Sequence, residues 1–373
     1  MRSFPKLLQL VLLTFTASVF LSSCQLSRFV FYNFANITDY KIFPARQLTA
    51  SATPFQFPQA TTPKVPDHIF TADKKKVAFD SFLEENKTVA FLIIRNDSIQ
   101  YEKYFNGYEQ SSVVASFSMA KSVTSMLIGC ALADGYIKSV EEPITHYLPE
   151  LQKNGLEKVT IRHLLQMTSG IEFNESYVNP FGDAASFYYG RHLRKYISQM
   201  KPETEPGQQF HYISGNTQLL GAILDRALPE NKTVTQYLQE RIWQHLGMEY
   251  EASWSLDKKK DGLEKTFCCL NARARDFAKL GRLYLNKGNW QGKQIVPATW
   301  VKESTQVDTT QGSAWFYQYQ WWLPSTSGDF MARGILGQYI YVNPAKNLII
   351  VRLGKDYGDA NWQGTFTWLA STY

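Results

Sequence analysis

Two strand-hairpin patterns, one near each end of this 373-residue chain, constrain its fold more than any other feature. Residues 88–94 and 98–105 read as two strands, and the Asn-Asp dipeptide between them is typical of a tight turn. Residues 338–342 and 348–353 form a second pair of the same kind. The order predicts an α/β (α+β) fold: an antiparallel sheet is formed from both chain ends and flanked by helices, with a mostly helical insert at about 134–260.

The composition is that of a globular chain with a sizeable core, because 44% of the residues are hydrophobic and 19% are charged. The net charge of +6 is spread along the sequence, and no basic run exceeds residues 258–260, so nothing indicates nucleic-acid binding. Cys130 lies in an apolar stretch and reads as a small core side chain. Cys268 and Cys269 are adjacent, which is poor geometry for an ordinary disulfide, so we expect no disulfide stabilisation. No pattern for a metal or a cofactor is present.

The N-terminal residues have the pattern of an export signal: a basic start, a short apolar segment and small residues before Cys24. The sequence Leu-Ser-Ser-Cys resembles the lipobox of bacterial lipoproteins, which implies removal of residues 1–23, lipidation of Cys24 and a bacterial membrane anchor, with a periplasmic or cell-surface location. An ordinary secreted protein with an incidental cysteine is the alternative. Residues 24–75, rich in proline and threonine, are expected to form an extended tether and lead-in to one domain at 76–373.

Ser118 and Lys121 stand three residues apart at the head of an apolar run that extends to Ala133, with Gly135 as a stop signal. On a helix, such a pair shares one face. A serine hydroxyl becomes an effective nucleophile when a nearby base takes its proton, and a lysine can do so if burial keeps it neutral. The same spacing recurs elsewhere, but only in the targeting segment or in polar stretches. Ser118 and Lys121 are therefore the candidate nucleophile and base.

A second candidate element is the sequence Tyr-Ile-Ser-Gly-Asn at 212–216, which precedes another apolar helix. Alternate residues of an extended segment point the same way, so Tyr212 and Ser214, or Ser214 and Asn216, could face one cavity. A phenol or a hydroxyl there could relay a proton. The alternative is that Ser214 or Asn216 only caps the helix.

A third element, Gly-Ile-Leu-Gly-Gln at 334–338, opens the first strand of the C-terminal hairpin. Glycines beside a strand allow the backbone to approach a ligand closely. A backbone N–H group here could act with that of Ser118 as an oxyanion hole. A β-bulge or a tight entry turn would also explain the two glycines.

Together the three elements resemble those of the serine beta-lactamases and penicillin-binding-protein-like hydrolases, in particular the class C beta-lactamase-related branch that includes 6-aminohexanoate-dimer hydrolases. The resemblance extends over about residues 75–370. It implies that 76–373 is a serine hydrolase domain that works through an acyl-enzyme. Carried over, Ser118 is the acylated nucleophile, Lys121 the general base and Tyr212 the proton relay, while the N–H groups of Ser118 and Gln338 hold the oxyanion.

Two departures from the family pattern bear on the substrate. Ser214 stands where the family often has asparagine, and Asn216 could substitute for it. Ile335 stands where a cation often precedes the glycine that Gly337 matches, so the substrate carboxylate of a beta-lactam or a peptidoglycan stem would lack its partner. The four residues are candidates for the substrate pocket, and the loops around 174–190 and 310–330 are expected to shape it. The departures favour an esterase or amidase for a small, less acidic substrate.

The substrate class therefore stays broad at this stage: a small ester or amide, including peptide-like and beta-lactam-related compounds. A non-catalytic alternative is an anchored lipoprotein that keeps the pocket for binding or sensing, and the isoleucine at position 335 favours it. Retention of Ser118, Lys121 and Tyr212 together argues for the enzyme. The sequence does not specify the oligomeric state.

Overall fold

The computed structural model describes residues 34–71 and 75–373 of the chain. The predicted signal peptide and the predicted lipidation site Cys24 lie outside these ranges. No helix within them combines the length and the apolar character needed to cross a bilayer.

The described ranges contain fifteen strands and ten α-helices. The strands are β1 (Ala45–Leu48), β2 (His68–Phe70), β3 (Lys76–Ala78), β4 (Thr88–Arg95), β5 (Ser98–Tyr104), β6 (Val114–Ala115), β7 (Ala252–Ser255), β8 (Leu270–Ala272), β9 (Asn289–Trp290), β10 (Lys293–Gln294), β11 (Tyr317–Gln318), β12 (Trp321–Trp322), β13 (Phe330–Gly334), β14 (Gln338–Asn343) and β15 (Leu348–Gly354). The helices are α1 (Phe79–Glu85), α2 (Met119–Ala133), α3 (Ile161–Leu165), α4 (Asp183–Tyr189), α5 (Leu193–Ile197), α6 (Ser214–Ala227), α7 (Val234–Arg241), α8 (Ala274–Leu285), α9 (Ala298–Thr305) and α10 (Trp362–Thr372). Short 3-10 turns lie at Asp39–Lys41, Ile144–His146, Pro149–Asn154, Trp243–Leu246, Ile335–Gly337 and Pro344–Lys346.

The main sheet is antiparallel and has the strand order β11-β12-β13-β14-β15-β4-β5. The N-terminal strand β4 therefore pairs directly with β15 of the C-terminal hairpin, which confirms the prediction of a sheet formed from both chain ends. Strand β4 is apolar at nearly every position because each face is covered. Leu92 and Ile94 belong to the larger core, whereas Phe91 and Ile93 belong to a second core under α1 and α10.

Helix α2 runs through the larger core, and thirteen of its fifteen residues are buried. It packs against α6 on one side and against β13 on the other. An apolar run without a polar stripe is what such a position requires, since no face of the helix meets water. Ser118 directly precedes the helix and Asp134 follows it, as the sequence predicted. The helix thus places its N-terminal end between the sheet and the predicted insert, where α3 to α7 lie.

The lead-in is more structured than the predicted tether. Strand β1 pairs with β7 at the edge of a second sheet with the order β1-β7-β8-β6. The side chains of Ile37, Phe43, Leu48 and Phe57 are buried in the larger core. The sequence did not predict this strand or these core side chains, because single apolar residues spaced among prolines show no clear period. The described part of 24–75 therefore belongs to the folded body.

The expectation that the adjacent cysteines form no disulfide was wrong. Cys268 and Cys269 are joined by a disulfide, although neighbouring cysteines are an unusual pair for one. The backbone at Cys269 lies in the left-handed region, with φ of 70°. Cys130 is free and fully buried in α2, as predicted.

Candidate active site

Ser118 lies at the N-terminal end of α2 and lines a cavity of about 340 Å³. The preceding residue, Phe117, has a positive φ of 44°, so the chain turns sharply just before the helix begins. This turn leaves Ser118 half-buried while the residues on both sides of it are buried. Most of the cavity wall is aromatic or aliphatic, and among the described residues that line it none carries a formal charge. The site therefore presents a hydroxyl to a largely apolar space.

Lys121 lies one turn further along α2 and is 1% exposed. Its Nζ donates to Ser214 Oγ at 2.9 Å and to the carbonyl oxygen of Phe267 at 3.0 Å. It also lies 5.3 Å from the ring centroid of Tyr212. Burial lowers the pKa of Lys121 to about 8, because removal from water penalises the ammonium form, while the charge of Glu175 acts in the opposite direction. A substantial fraction of this amine is therefore neutral near pH 8.

Ser214 connects Lys121 to a carboxylate that the sequence did not single out. Its hydroxyl donates to Glu175 Oε1 at 2.6 Å, and its backbone N–H donates to Glu175 Oε2 at 2.7 Å. The phenol of Tyr177 donates to the same carboxylate at 2.5 Å. Glu175 lies in a loop without a motif, so only the expectation that 174–190 shapes the pocket pointed towards it. The resulting chain of hydrogen bonds orients the Ser214 hydroxyl and, through it, the lysine.

Tyr212 stands beside both Ser118 and Lys121. Its ring packs edge-on against Tyr317, with 5.9 Å between centroids, and is tilted against Trp322 at 5.5 Å. Burial and the negative charge of Glu175 raise the pKa of Tyr212 well above its usual value, and a hydrogen bond with Ser118 acts in the opposite direction. The phenol is therefore protonated at neutral pH, and it is hydrogen-bonded to the side chain of Ser118.

The third sequence element reaches the cavity at different residues from those expected. A Cβ atom at Gly334 would lie 3.2 Å from the amide nitrogen of Ser118, so β13 approaches the helix start closely. Ile335 and Leu336 line the cavity. Gln338 does not line it: this residue is buried in β14 opposite Gly334, and its side-chain amide donates to the carbonyl oxygen of Gly354 at 2.7 Å.

Gly337 and Asn216 also lie away from the cavity wall. The carbonyl oxygen of Gly337 accepts a hydrogen bond from the buried guanidinium of Arg352 at 2.6 Å. The side chain of Asn216 is fully buried and accepts a hydrogen bond from Ser169 Oγ at 2.7 Å. Among the pocket candidates, the structure therefore brings Ser214 and Ile335 to the cavity and assigns the other two to packing beneath it.

Of the two loops that flank the site, one lines the cavity and the other packs behind it. The segment 174–190 supplies cavity-lining residues, including Tyr177 and Val178, and the side chain of Val178 is 71% exposed at the mouth. The segment 310–330 instead backs the site, since Tyr317 and Trp322 pack on Tyr212. His211 is exposed beside this cluster. Among the residues with described positions, no group of three His, Cys, Asp or Glu side chains is arranged for a metal ion.

This arrangement brings together the Ser118 hydroxyl, the Tyr212 phenol and the buried Lys121 amine. The phenol is hydrogen-bonded to Ser118, and the amine lies 5.3 Å from the centroid of the phenol ring. Such a set can take a proton from an attacking hydroxyl and deliver it to a leaving group. The cavity in front of it is lined mostly by aromatic and aliphatic side chains.

Comparison with known proteins identifies the family of this chain. Residues 78–361 match the family described as Beta-lactamase. A 6-aminohexanoate-dimer hydrolase of Paenarthrobacter ureafaciens is 27% identical over 312 residues, which cover 76% of this chain and 76% of that protein. A Bacillus anthracis structure, provisionally assigned as a 6-aminohexanoate-dimer hydrolase, aligns with a TM-score of 0.80 at 26% identity over 90% of this chain and 93% of that one.

A family VIII carboxylesterase shares the fold at lower similarity, with a TM-score of 0.62 and 16% identity over 79% of this chain and 94% of that one. The predicted beta-lactamase/transpeptidase-like fold is thereby confirmed. The family match extends over most of the chain, from the last residue of β3 to the residue before α10, and so includes the whole main sheet. The chain belongs to the beta-lactamase family and is a serine hydrolase of that fold.

Proposed function

We propose that the protein hydrolyses a small ester or amide through an acyl-enzyme on Ser118. The observation that carries this proposal is the buried Lys121, whose Nζ bonds to Ser214 and lies beside Tyr212, with its pKa lowered to about 8. Lys121 is the general base, and the Tyr212 phenol relays the proton, because it bonds to Ser118. Glu175 and Ser214 hold the amine in place.

The reaction has two steps. In acylation, Ser118 Oγ attacks the carbonyl carbon, its proton passes to Lys121 by way of Tyr212, and the proton then goes to the departing alcohol or amine. In deacylation, water attacks the ester carbonyl and the same groups take its proton, which restores the serine hydroxyl. Each proton taken from a nucleophile is thus returned to a leaving group.

We assign the oxyanion hole to the N–H groups of Ser118 and Ile335, in place of the expected Gln338. Ile335 follows Gly334, which approaches the Ser118 amide, and it lines the cavity. Removing one such donor typically costs about a hundredfold or more in kcat.

The substrate is proposed to be neutral around its reacting carbonyl. The described residues that line the cavity contribute no formal charge. An uncharged lining favours a neutral substrate over beta-lactams and peptidoglycan stems, which carry a carboxylate. The names of the relatives, an amide-dimer hydrolase and a carboxylesterase, agree with an amide or an ester.

We also propose export and lipid anchoring at Cys24, as a periplasmic or cell-surface lipoprotein. The support is the sequence pattern alone: a basic start, a short apolar segment and Leu-Ser-Ser-Cys. Incorporation of radiolabelled palmitate into the wild-type protein, and its loss in Cys24→Ala, would test the anchor.

A fluorophosphonate probe and p-nitrophenyl acetate test the catalytic proposal. The Ser118→Ala variant is expected to lose both covalent labelling and ester turnover, with an unchanged unfolding temperature, because only one oxygen atom is removed from a half-buried position. Ser125→Ala is the matched control: this serine is buried in α2, and among the described residues its hydroxyl has no hydrogen-bond partner. Labelling that survives in Ser118→Ala, or maps to another residue, would contradict the assignment.

A further inference from the structure

The disulfide between Cys268 and Cys269 lies at the active site. Cys268 lines the cavity that Ser118 faces, and the residue before it, Phe267, supplies the carbonyl oxygen that accepts from Lys121 Nζ. Both cysteines are 3% exposed, so the pair is buried, with Cys268 at the cavity wall and Cys269 behind it. The catalytic steps above make no use of it.

The segment that carries this disulfide is held through its carbonyl groups. Thr124, one turn after Lys121 on α2, donates to the carbonyl oxygen of Thr266 at 2.9 Å. The indole of Trp254 donates to the carbonyl oxygen of Cys268 at 3.0 Å. With the bond from Lys121 to Phe267, three successive carbonyl oxygens are fixed. The disulfide therefore follows directly after the carbonyl group that accepts from Lys121.

That path includes an unfavourable conformation. Cys269 has φ of 70°, in the left-handed region that residues with a Cβ atom seldom adopt. A bond between adjacent side chains closes a small ring through the intervening peptide group and so restricts the rotation of that group. Opening the bond removes this restriction, so we expect Cys269 to return to negative φ and the turn that presents the Phe267 carbonyl to change with it.

We propose that the Cys268–Cys269 disulfide is a positioning element for Lys121, and that its reduction slows acylation of Ser118. The proposal rests on the catalytic role of Lys121 given above. In the oxidised protein, the Phe267 carbonyl and Ser214 hold Nζ between them. In the reduced protein one of these two acceptors is displaced, and the amine no longer points steadily towards Tyr212.

The redox step needs a dithiol as reductant. Dithiothreitol transfers two electrons and two protons: the sulfur–sulfur bond breaks, two cysteine thiols form, and the dithiol is oxidised to its cyclic disulfide. Cys268 lines the cavity, so the cavity is the expected route of a small dithiol to the bond.

The test compares wild-type protein before and after dithiothreitol, with the thiol state read by mass spectrometry after alkylation. The rate of fluorophosphonate labelling and the kcat for p-nitrophenyl acetate are expected to fall by roughly ten- to a hundredfold on reduction, since small displacements of a catalytic group cost that much. KM should change less than kcat. The double variant Cys268→Ser/Cys269→Ser should be as slow as the reduced wild type and indifferent to dithiothreitol.

Cys130→Ser is the matched control, because this free thiol is buried in α2. It should keep both the wild-type rate and the response to reduction. Full reduction with unchanged kcat would overturn the proposal.

A second readout does not depend on turnover. The pH dependence of Lys121 acetylation by acetic anhydride reports the state of this amine directly. Loss of the Phe267 acceptor removes a stabilising contact of the ammonium form, so the apparent pKa should fall on reduction. An unchanged acetylation profile in fully reduced protein would overturn the proposal even if no ester were turned over, whereas a failure of Ser118 labelling in the oxidised protein would count against the proposed function instead.

Discussion

At the scale of single residues, burial alone does not distinguish the lysine that we propose as the general base. Lys121, Lys265 and Lys279 are all at most 1% exposed. Lys279 forms an ion pair with Asp276 at 3.0 Å, so its charge is compensated directly, and Lys265 donates to the carbonyl oxygen of Phe187 at 2.8 Å. Lys121 reaches the Glu175 carboxylate through the Ser214 hydroxyl. When this amine loses its proton, the carboxylate keeps its hydrogen bonds from Ser214 and Tyr177, which stabilise its remaining charge.

This arrangement predicts how acylation depends on pH. The base must be neutral, so the labelling rate of Ser118 should rise with pH and reach half its maximum near pH 8, where burial places the pKa of Lys121. Glu175 raises that pKa by stabilising the ammonium form. Glu175→Gln removes the charge but keeps an oxygen for Ser214, and should move the midpoint to lower pH by about one unit.

Glu172→Gln is the control for this prediction. Glu172 is exposed in the same stretch of chain and pairs with Lys201 at 3.1 Å. Its substitution should leave the midpoint in place. A midpoint that moves to higher pH in Glu175→Gln would show that the titrating group is not Lys121.

At the scale of elements, sequence reasoning succeeded where a pattern is local. The apolar run after Ser118, the Asn-Asp turn and the paired C-terminal strands each follow from spacing within one segment, and all appear in the structure. It failed where partners are distant in sequence. The role of Gln338 could not be foreseen, because whether a strand residue faces a cavity or a neighbouring loop depends on register. Glu175 was missed because a loop has no periodicity.

The turn at Ile335–Gly337 gives an element-scale prediction for stability. Gly337 has φ of 79°, and a Cβ atom there would lie 1.7 Å from a guanidinium nitrogen of Arg352. Gly337→Ala should therefore lower the free energy of unfolding by about 3 kcal/mol or more, through backbone strain and the displacement of that side chain. Urea denaturation followed by circular dichroism measures this loss.

Gly107→Ala separates the two causes. Gly107 has a nearly equal φ of 77°, but nothing lies within 4 Å of its Cβ position. The Gly107→Ala variant should lower the free energy of unfolding through backbone strain alone, by about 1–2 kcal/mol. Equal losses in the two variants would mean that the contact with Arg352 contributes nothing.

At the scale of the whole molecule, the folded body begins before the segment that matches the family. That match starts at residue 78, yet the lead-in adds a strand to the sheet with β7 and four apolar side chains to the larger core. Phe34 and Ala35 also line the cavity in front of Ser118. A segment that the proline-rich pattern indicated to be a tether is thus part of both the core and the site.

Truncation tests this view of the lead-in. A chain that begins at Phe34 should unfold cooperatively and label at Ser118, whereas a chain that begins at Lys76 should do neither. The second chain lacks Ile37, Phe43 and Leu48. Together with Phe57, these side chains stabilise the fold by about 6–12 kcal/mol, at about 1.5–3 kcal/mol for each buried side chain. That amount is comparable with the whole stability of a typical domain, about 5–15 kcal/mol. A cooperative thermal transition in the shorter chain, at the temperature of the longer one, would show that the lead-in is dispensable after all.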